Sequence, residues 1–172
     1  MGDRRQRLET RIVRQLMLAT VLLAVALLQT GLLPRPLGVP PNVLLVGVVC
    51  WAALKGANQA APAAFYSGLW LDLLSGRTLG NHALTLLLAV ALAAAIVRAF
   101  DDENWLLPLS IVASGTLIFH LIPIITAGGA GNWAEFTIVI LLPALFWNTI
   151  LALPEYMLLR WWSRRGQPQL EW

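Results

Sequence analysis

Apolar residues gather in six runs along the chain, and polar, glycine- or proline-containing stretches separate these runs. The runs cover approximately residues 16–33, 43–54, 60–74, 83–97, 105–126 and 136–153. About 20 helical residues cross the ~30 Å hydrocarbon core of a membrane. The second run reaches only about 18 Å, so it either extends over 40–42 or re-enters the membrane without crossing. The pattern predicts an all-α integral membrane protein with six transmembrane helices in one bundle.

The composition agrees with a membrane location. Hydrophobic residues make up 58% of the 172 residues and charged residues only 12%, whereas about a quarter of a soluble domain is charged. So few charges cannot cover a water-facing surface, which excludes a soluble globular protein, a disordered chain and a nucleic-acid-binding module. The single cysteine, Cys50, excludes an intramolecular disulfide and a cysteine-built metal cluster.

The basic residues indicate the orientation in the membrane. With a cytoplasmic amino terminus, six crossings leave only Arg35 and Arg77 on the far side. Because cytoplasmic flanks of membrane helices collect Lys and Arg, both termini are predicted to be cytoplasmic. The ten basic residues then on the cytoplasmic side are Arg4, Arg5, Arg7, Arg11, Arg14, Lys55, Arg98, Arg160, Arg164 and Arg165.

Three segments follow from this arrangement: a basic cytoplasmic segment 1–15, a six-span membrane domain 16–159 and a cytoplasmic tail 160–172. Within the first segment, Leu8 and Ile12 fall on one helix face among arginines. This pattern predicts an interfacial helix that favours anionic membrane lipid. The alternative interpretation is that the arginines serve only as a topology signal.

The sequence offers few residues suited to catalysis. Its two histidines, His82 and His120, lie in different runs, and no H-x-x-x-H, C-x-x-C or H-E-x-x-H pattern and no phosphate-binding loop occurs. We therefore predict no enzymatic activity, no metal and no cofactor. Gln29 and Asn148 are expected to form hydrogen bonds between helices rather than to contact a ligand. His120 is expected to form a hydrogen bond inside the bundle rather than to relay protons.

Small residues recur every four positions in the third run. Ala60, Ala64 and Gly68 are followed at the same spacing by Asp72 and Gly76, and residues four apart lie near one face of a helix. Small side chains let a second helix approach closely. Ala60, Ala64 and Gly68 are therefore predicted to form a helix-packing face, either inside the bundle or against a partner.

The negative charge of Asp72 needs a compensating partner, because an aspartate in or near a membrane is energetically costly. It also lies in the last turn of its predicted helix, where the helix dipole disfavours a negative charge. Two compensating groups follow closely in sequence: Arg77, and the backbone amides where the fourth helix begins near His82. A bond to either would make the turn between Gly76 and Gly80 rigid. The alternative role of Asp72 is in a ligand or partner site.

The segment 65–84, FYSGLWLDLLSGRTLGNHAL, resembles the signature of the rod shape-determining protein MreD family. That signature runs roughly G-L-x-x-D-x-x-S-G-x-x-L-G-x-H-A-L. It carries Gly68, Asp72, Gly76, Gly80 and His82 of this chain. Upstream, the tetrapeptide PNVL at 41–44 resembles the start of the family's second span. The segment 55–58 departs from the family pattern, where a proline-containing turn would be expected.

The resemblance implies a multi-pass protein of the bacterial inner membrane without established enzymatic activity. The family acts with MreC, MreB, RodA and a transpeptidase of the penicillin-binding class in lateral peptidoglycan synthesis. The chain would then be a scaffold that binds MreC and supports the synthases. The family is also similar in layout to the substrate-binding subunits of energy-coupling-factor transporters, which gives an alternative function: a vitamin-type small-molecule binding subunit.

Overall fold

The computed structural model describes residues 2–76, 79–100, 106–129 and 131–165, with side chains from residue 9 onward except at position 36. No strand occurs among these residues, and the chain is helical, as predicted. A 3-10 turn, Pro36–Gly38, precedes the second helix, and a π-helical turn, Thr137–Leu141, joins the last two. The helices are α1 (Gly2–Gly31), α2 (Val43–Lys55), α3 (Ala57–Ser75), α4 (Asn81–Ala99), α5 (Leu107–Thr126), α6 (Trp133–Phe136) and α7 (Leu142–Arg165).

Four helical segments are long and apolar enough to cross a membrane. They are Glu9–Gly31, Asn81–Ala99, Leu107–Thr126 and Trp133–Arg165, which correspond to the first, fourth, fifth and sixth apolar runs. Helix α2 has 13 residues, and α3, with 19, is not among the four. The chain is thus an all-α protein with membrane-spanning character, whereas crossings by the second and third runs stay predictions.

The first and last helices are longer than their apolar runs. Helix α1 continues without a break from Gly2 to Gly31, so the basic segment is an extension of the first span; its location at the membrane surface stays a prediction. The sixth run ends at residue 153, but α7 continues through Pro154 to Arg165. Hydropathy therefore underestimated this helix, because polar residues lower the apolar signal without ending the hydrogen-bonded backbone.

Helix α2 lies in the centre of the bundle, where it packs against α3, α4, α5 and α7. Seven of its thirteen residues are buried, namely Leu44, Leu45, Val46, Val48, Val49, Cys50 and Ala52. An apolar side chain gains little by exchanging lipid for protein, so close packing rather than hydrophobicity holds such a helix. Its central position explains how a helix of about 20 Å is accommodated: its neighbours surround it.

Helix α1 lies at the edge of the bundle. Only 11% of its span is buried, against 28–39% in the other three candidate spans. It is attached mainly to α3, where the Trp70 indole N–H donates to the Ala19 carbonyl at 2.9 Å and the Tyr66 hydroxyl lies 2.6 Å from the Gln15 side-chain oxygen. These two bonds fix α1 against α3 and leave its opposite face free.

Candidate functional site: the α3–α4 turn

Asp72 is buried, with 1% of its surface exposed, in the last turn of α3. Its carboxylate accepts hydrogen bonds from the backbone amides of Gly80 at 2.8 Å and His82 at 2.9 Å, and the Ala83 amide lies at 3.4 Å. The His82 ring nitrogen Nδ1 is 2.7 Å from the same carboxylate. This is one of the two arrangements predicted for Asp72, namely a bond to the start of α4.

The local sequence makes this turn possible. Gly76 ends α3 with φ 63° and Gly80 precedes α4 with φ 95°, and both values lie in the left-handed region that glycine adopts without strain. Because Gly80 has no side chain, it cannot cap α4 itself. Asp72 therefore supplies the missing acceptor from the preceding helix.

The position of Asp72 also offsets its unfavourable interaction with the helix dipole of α3. At the end of α3 the helix dipole disfavours a carboxylate, but the same carboxylate lies at the amino-terminal end of α4, where the dipole and the free amides favour it. The charge thus ties the two helices together. Arg77, the other predicted partner of Asp72, lies outside the described residues.

Gly68 allows α3 and α4 to touch at their backbones. A methyl group built on Gly68 would lie 2.7 Å from the carbonyl carbon of His82 and closer still to the backbone of Ala83. Ala60 and Ala64, on the same face, are fully buried. The predicted helix-packing face therefore serves contacts inside the chain, and it is not available to a partner.

His82 is partly exposed at the start of α4, beside the buried Asp72. Its side chain is 12% exposed and its ring lies 5.1 Å from the ring of Phe119 on α5. Since a carboxylate can only accept, Nδ1 must carry the proton in the bond to Asp72, which leaves Nε2 as the second ring position. The structure thus brings together Gly68, Asp72, Gly76, Gly80 and His82 from the predicted site.

A second cluster of buried polar groups joins four helices. The Asn42 side chain caps α2 through the Leu45 amide and also accepts from Gln29 on α1, at 3.0 and 3.1 Å. Asn148 on α7 accepts from the Asn42 amide at 2.8 Å and donates to the Thr116 hydroxyl on α5 at 3.1 Å. Gln29 and Asn148 thus bond between helices as expected, whereas the roles of Asn42 and Thr116 were not predicted from the sequence.

Glu155 is an ionisable residue two positions after the end of the sixth apolar run. In the structure it lies within the Trp133–Arg165 segment. Its oxygen Oε2 is buried beside Gly47 of α2, without a hydrogen-bond partner among the described residues. An intramembrane carboxylate usually marks function. In the sequence, the isolated position of Glu155 among apolar residues is the signal that could have revealed it. Among the described residues, no three His, Cys, Asp or Glu side chains are grouped to hold a metal ion.

The helices and the capped α3–α4 turn define an all-α membrane protein whose polar residues are used mainly to join its own helices. The family model for the rod shape-determining protein MreD matches residues 9–165 of this chain. The chain therefore belongs to the MreD family, a family described as shape-determining, as its signature residues indicated. No curated protein and no solved structure gives a match.

Proposed function

We propose that the chain is a non-enzymatic membrane scaffold of the bacterial cell-elongation machinery, which binds MreC and supports peptidoglycan synthases in maintaining cell shape. The observation that carries this proposal is the MreD family match over nearly the whole chain. RodA, a penicillin-binding transpeptidase and MreB are weaker or indirect partners. The protein crosses the inner membrane six times and keeps both termini in the cytoplasm.

The buried polar groups support a scaffold more than the alternative, a vitamin-binding subunit. A vitamin site needs polar side chains that converge on an open cavity. Here Gln29, Asn42, Asn148 and Thr116 bond to one another and to backbone amides, and Asp72 bonds to the start of α4. Such bonds make the helices rigid relative to one another, as a docking platform requires.

Helix α1 offers the docking face for the single membrane helix of MreC. It is the least buried candidate span, and its side away from Gln15 and Ala19 carries Met17 and Val21, each more than half exposed. Membrane helices associate by packing and shape rather than by hydrophobicity. A partner helix placed on this face would contact α1 without disturbing the bonds that hold α1 to α3.

Photo-crosslinking in a rod-shaped bacterium tests this proposal. A photoreactive phenylalanine is placed at Met17 or Val21 on the free face of α1, and the matched control places it at Leu84, an exposed residue of α4. We expect covalent products with MreC from the two α1 positions and none from Leu84. Products from Leu84 alone would move the docking face, and no association with MreC by crosslinking or co-purification would refute the scaffold proposal.

A further inference from the structure

An exposed apolar groove runs beside the start of α7. Its lining is apolar and consists of Leu37, Ile138, Val139, Leu142, Pro143 and Phe146, around a volume of about 470 Å³. Four of these side chains are each 53–65% exposed, namely Ile138, Val139, Leu142 and Phe146. The groove is therefore a surface feature that the surrounding membrane must fill.

Two irregular backbone segments form the walls of this groove. Pro143 has no N–H and its ring crowds the carbonyl of Val139, and the widened π-helical turn Thr137–Leu141 lies directly before it. On the other side, Leu37 takes φ 61° inside the 3-10 turn, a conformation that costs a branched side chain about 1 kcal/mol or more. The 3-10 turn packs on the π-helical turn, so both irregularities meet at the groove.

An exposed cation lies next to the groove in the sequence. Arg35 is two residues before Leu37 and exposed, and within the described part of the chain its guanidinium has no ion pair. Glu135 lines a neighbouring groove with Asn132 and Ile124, which shares Val139 with this one. The Arg35 guanidinium is therefore available to attract a negative group.

We infer that this groove binds one phospholipid, with its phosphate at Arg35 and one acyl chain along Ile138 to Phe146. An apolar groove with an exposed arginine two residues from one of its lining residues matches an amphiphile with an anionic head, since guanidinium pairs with phosphate through paired hydrogen bonds. The lined stretch from Ile138 to Phe146, in the π-helical turn and the start of α7, is about 12 Å long. A lipid is favoured over an apolar partner helix because it brings an anionic group to Arg35.

Lipid titration of the purified full-length protein in detergent tests this inference. Phosphatidylglycerol and diacylglycerol with the same acyl chains are the probes, and native mass spectrometry counts the bound lipid. We expect the parent to bind phosphatidylglycerol at least about tenfold more tightly than diacylglycerol, a difference of about 1.4 kcal/mol. Arg35→Gln should remove this preference, whereas the control Arg98→Gln, an exposed arginine outside the groove, should keep it.

A second pair of variants tests the acyl-chain part of the site. Leu142→Trp fills the groove and should weaken binding of both lipids by at least about tenfold, whereas Ile150→Trp, on the exposed surface of the same helix but outside the groove, should bind like the parent. Equal binding by the two tryptophan variants would overturn the inference. So would equal affinity of the parent for the two lipids, or a photo-crosslink from position 142 to a protein instead of a lipid.

Discussion

Replacing Asp72 tests whether its carboxylate holds the α3–α4 turn. Asp72→Ala removes the acceptor of two short backbone hydrogen bonds and leaves the Gly80 and His82 amides without their partner. Each hydrogen bond to a charged group contributes about 1.5–3 kcal/mol, so the alanine variant should lose about 3–6 kcal/mol of unfolding free energy. This is a large share of the ~5–15 kcal/mol that is typical of a folded protein.

Asp72→Asn should have an intermediate effect. The amide keeps one oxygen that can accept from one backbone N–H, but its NH₂ group replaces the second acceptor and the favourable charge at the start of α4 is lost. We expect about half of the loss caused by alanine. Ser75→Ala is the matched control in the same turn, because the Ser75 hydroxyl makes only a 3.3 Å bond to the Asp72 carbonyl, and its effect should be small.

The measurement is equilibrium unfolding of the purified variants in detergent, followed by tryptophan fluorescence and circular dichroism. The expected order of stability is parent, Ser75→Ala, Asp72→Asn and Asp72→Ala. If Asp72 served only as a charge for a partner, Asn and Ala would be equally harmful in cells while the isolated proteins stayed as stable as the parent. That result would refute the structural role of the Asp72 carboxylate.

Three further predictions concern the packing, the polar cluster and the orientation. Gly68→Ala should destabilise the protein because its methyl group would collide with the backbone of α4, whereas Gly47→Ala, with only an ordinary 3.6 Å contact, should be neutral or stabilising by thermal unfolding. Asn148→Leu should lower the unfolding free energy by about 1–3 kcal/mol for each buried donor or acceptor left unpaired. If the variant unfolds in detergent with the same free energy as the parent, the polar cluster does not stabilise the fold. In a cysteine-free background, Arg35→Cys should react with an impermeant thiol reagent from outside intact cells and Arg98→Cys only after lysis; the reverse would overturn the predicted orientation.

Features that depend on neighbouring residues were predictable from the sequence. The helical, membrane-spanning class followed from the lengths of the apolar runs, because the need to satisfy every backbone group makes the helix the default element in lipid. The bond between Asp72 and the start of α4 was also predictable. The carboxylate and the free amides are separated by only eight to ten residues, and glycines fix the turn between them.

Features that depend on which helix faces meet were decided only by the tertiary structure. Asn42 and Asn148 are 106 residues apart, α2 turned out to be central and α1 peripheral, and the small-residue face of α3 turned inward rather than toward a partner. Hydropathy does not reveal such choices, because lipid is as apolar as the side chains and buried and exposed faces look alike in sequence. Shape and polar bonds between distant residues select the packing, and these exist only once the helices are together.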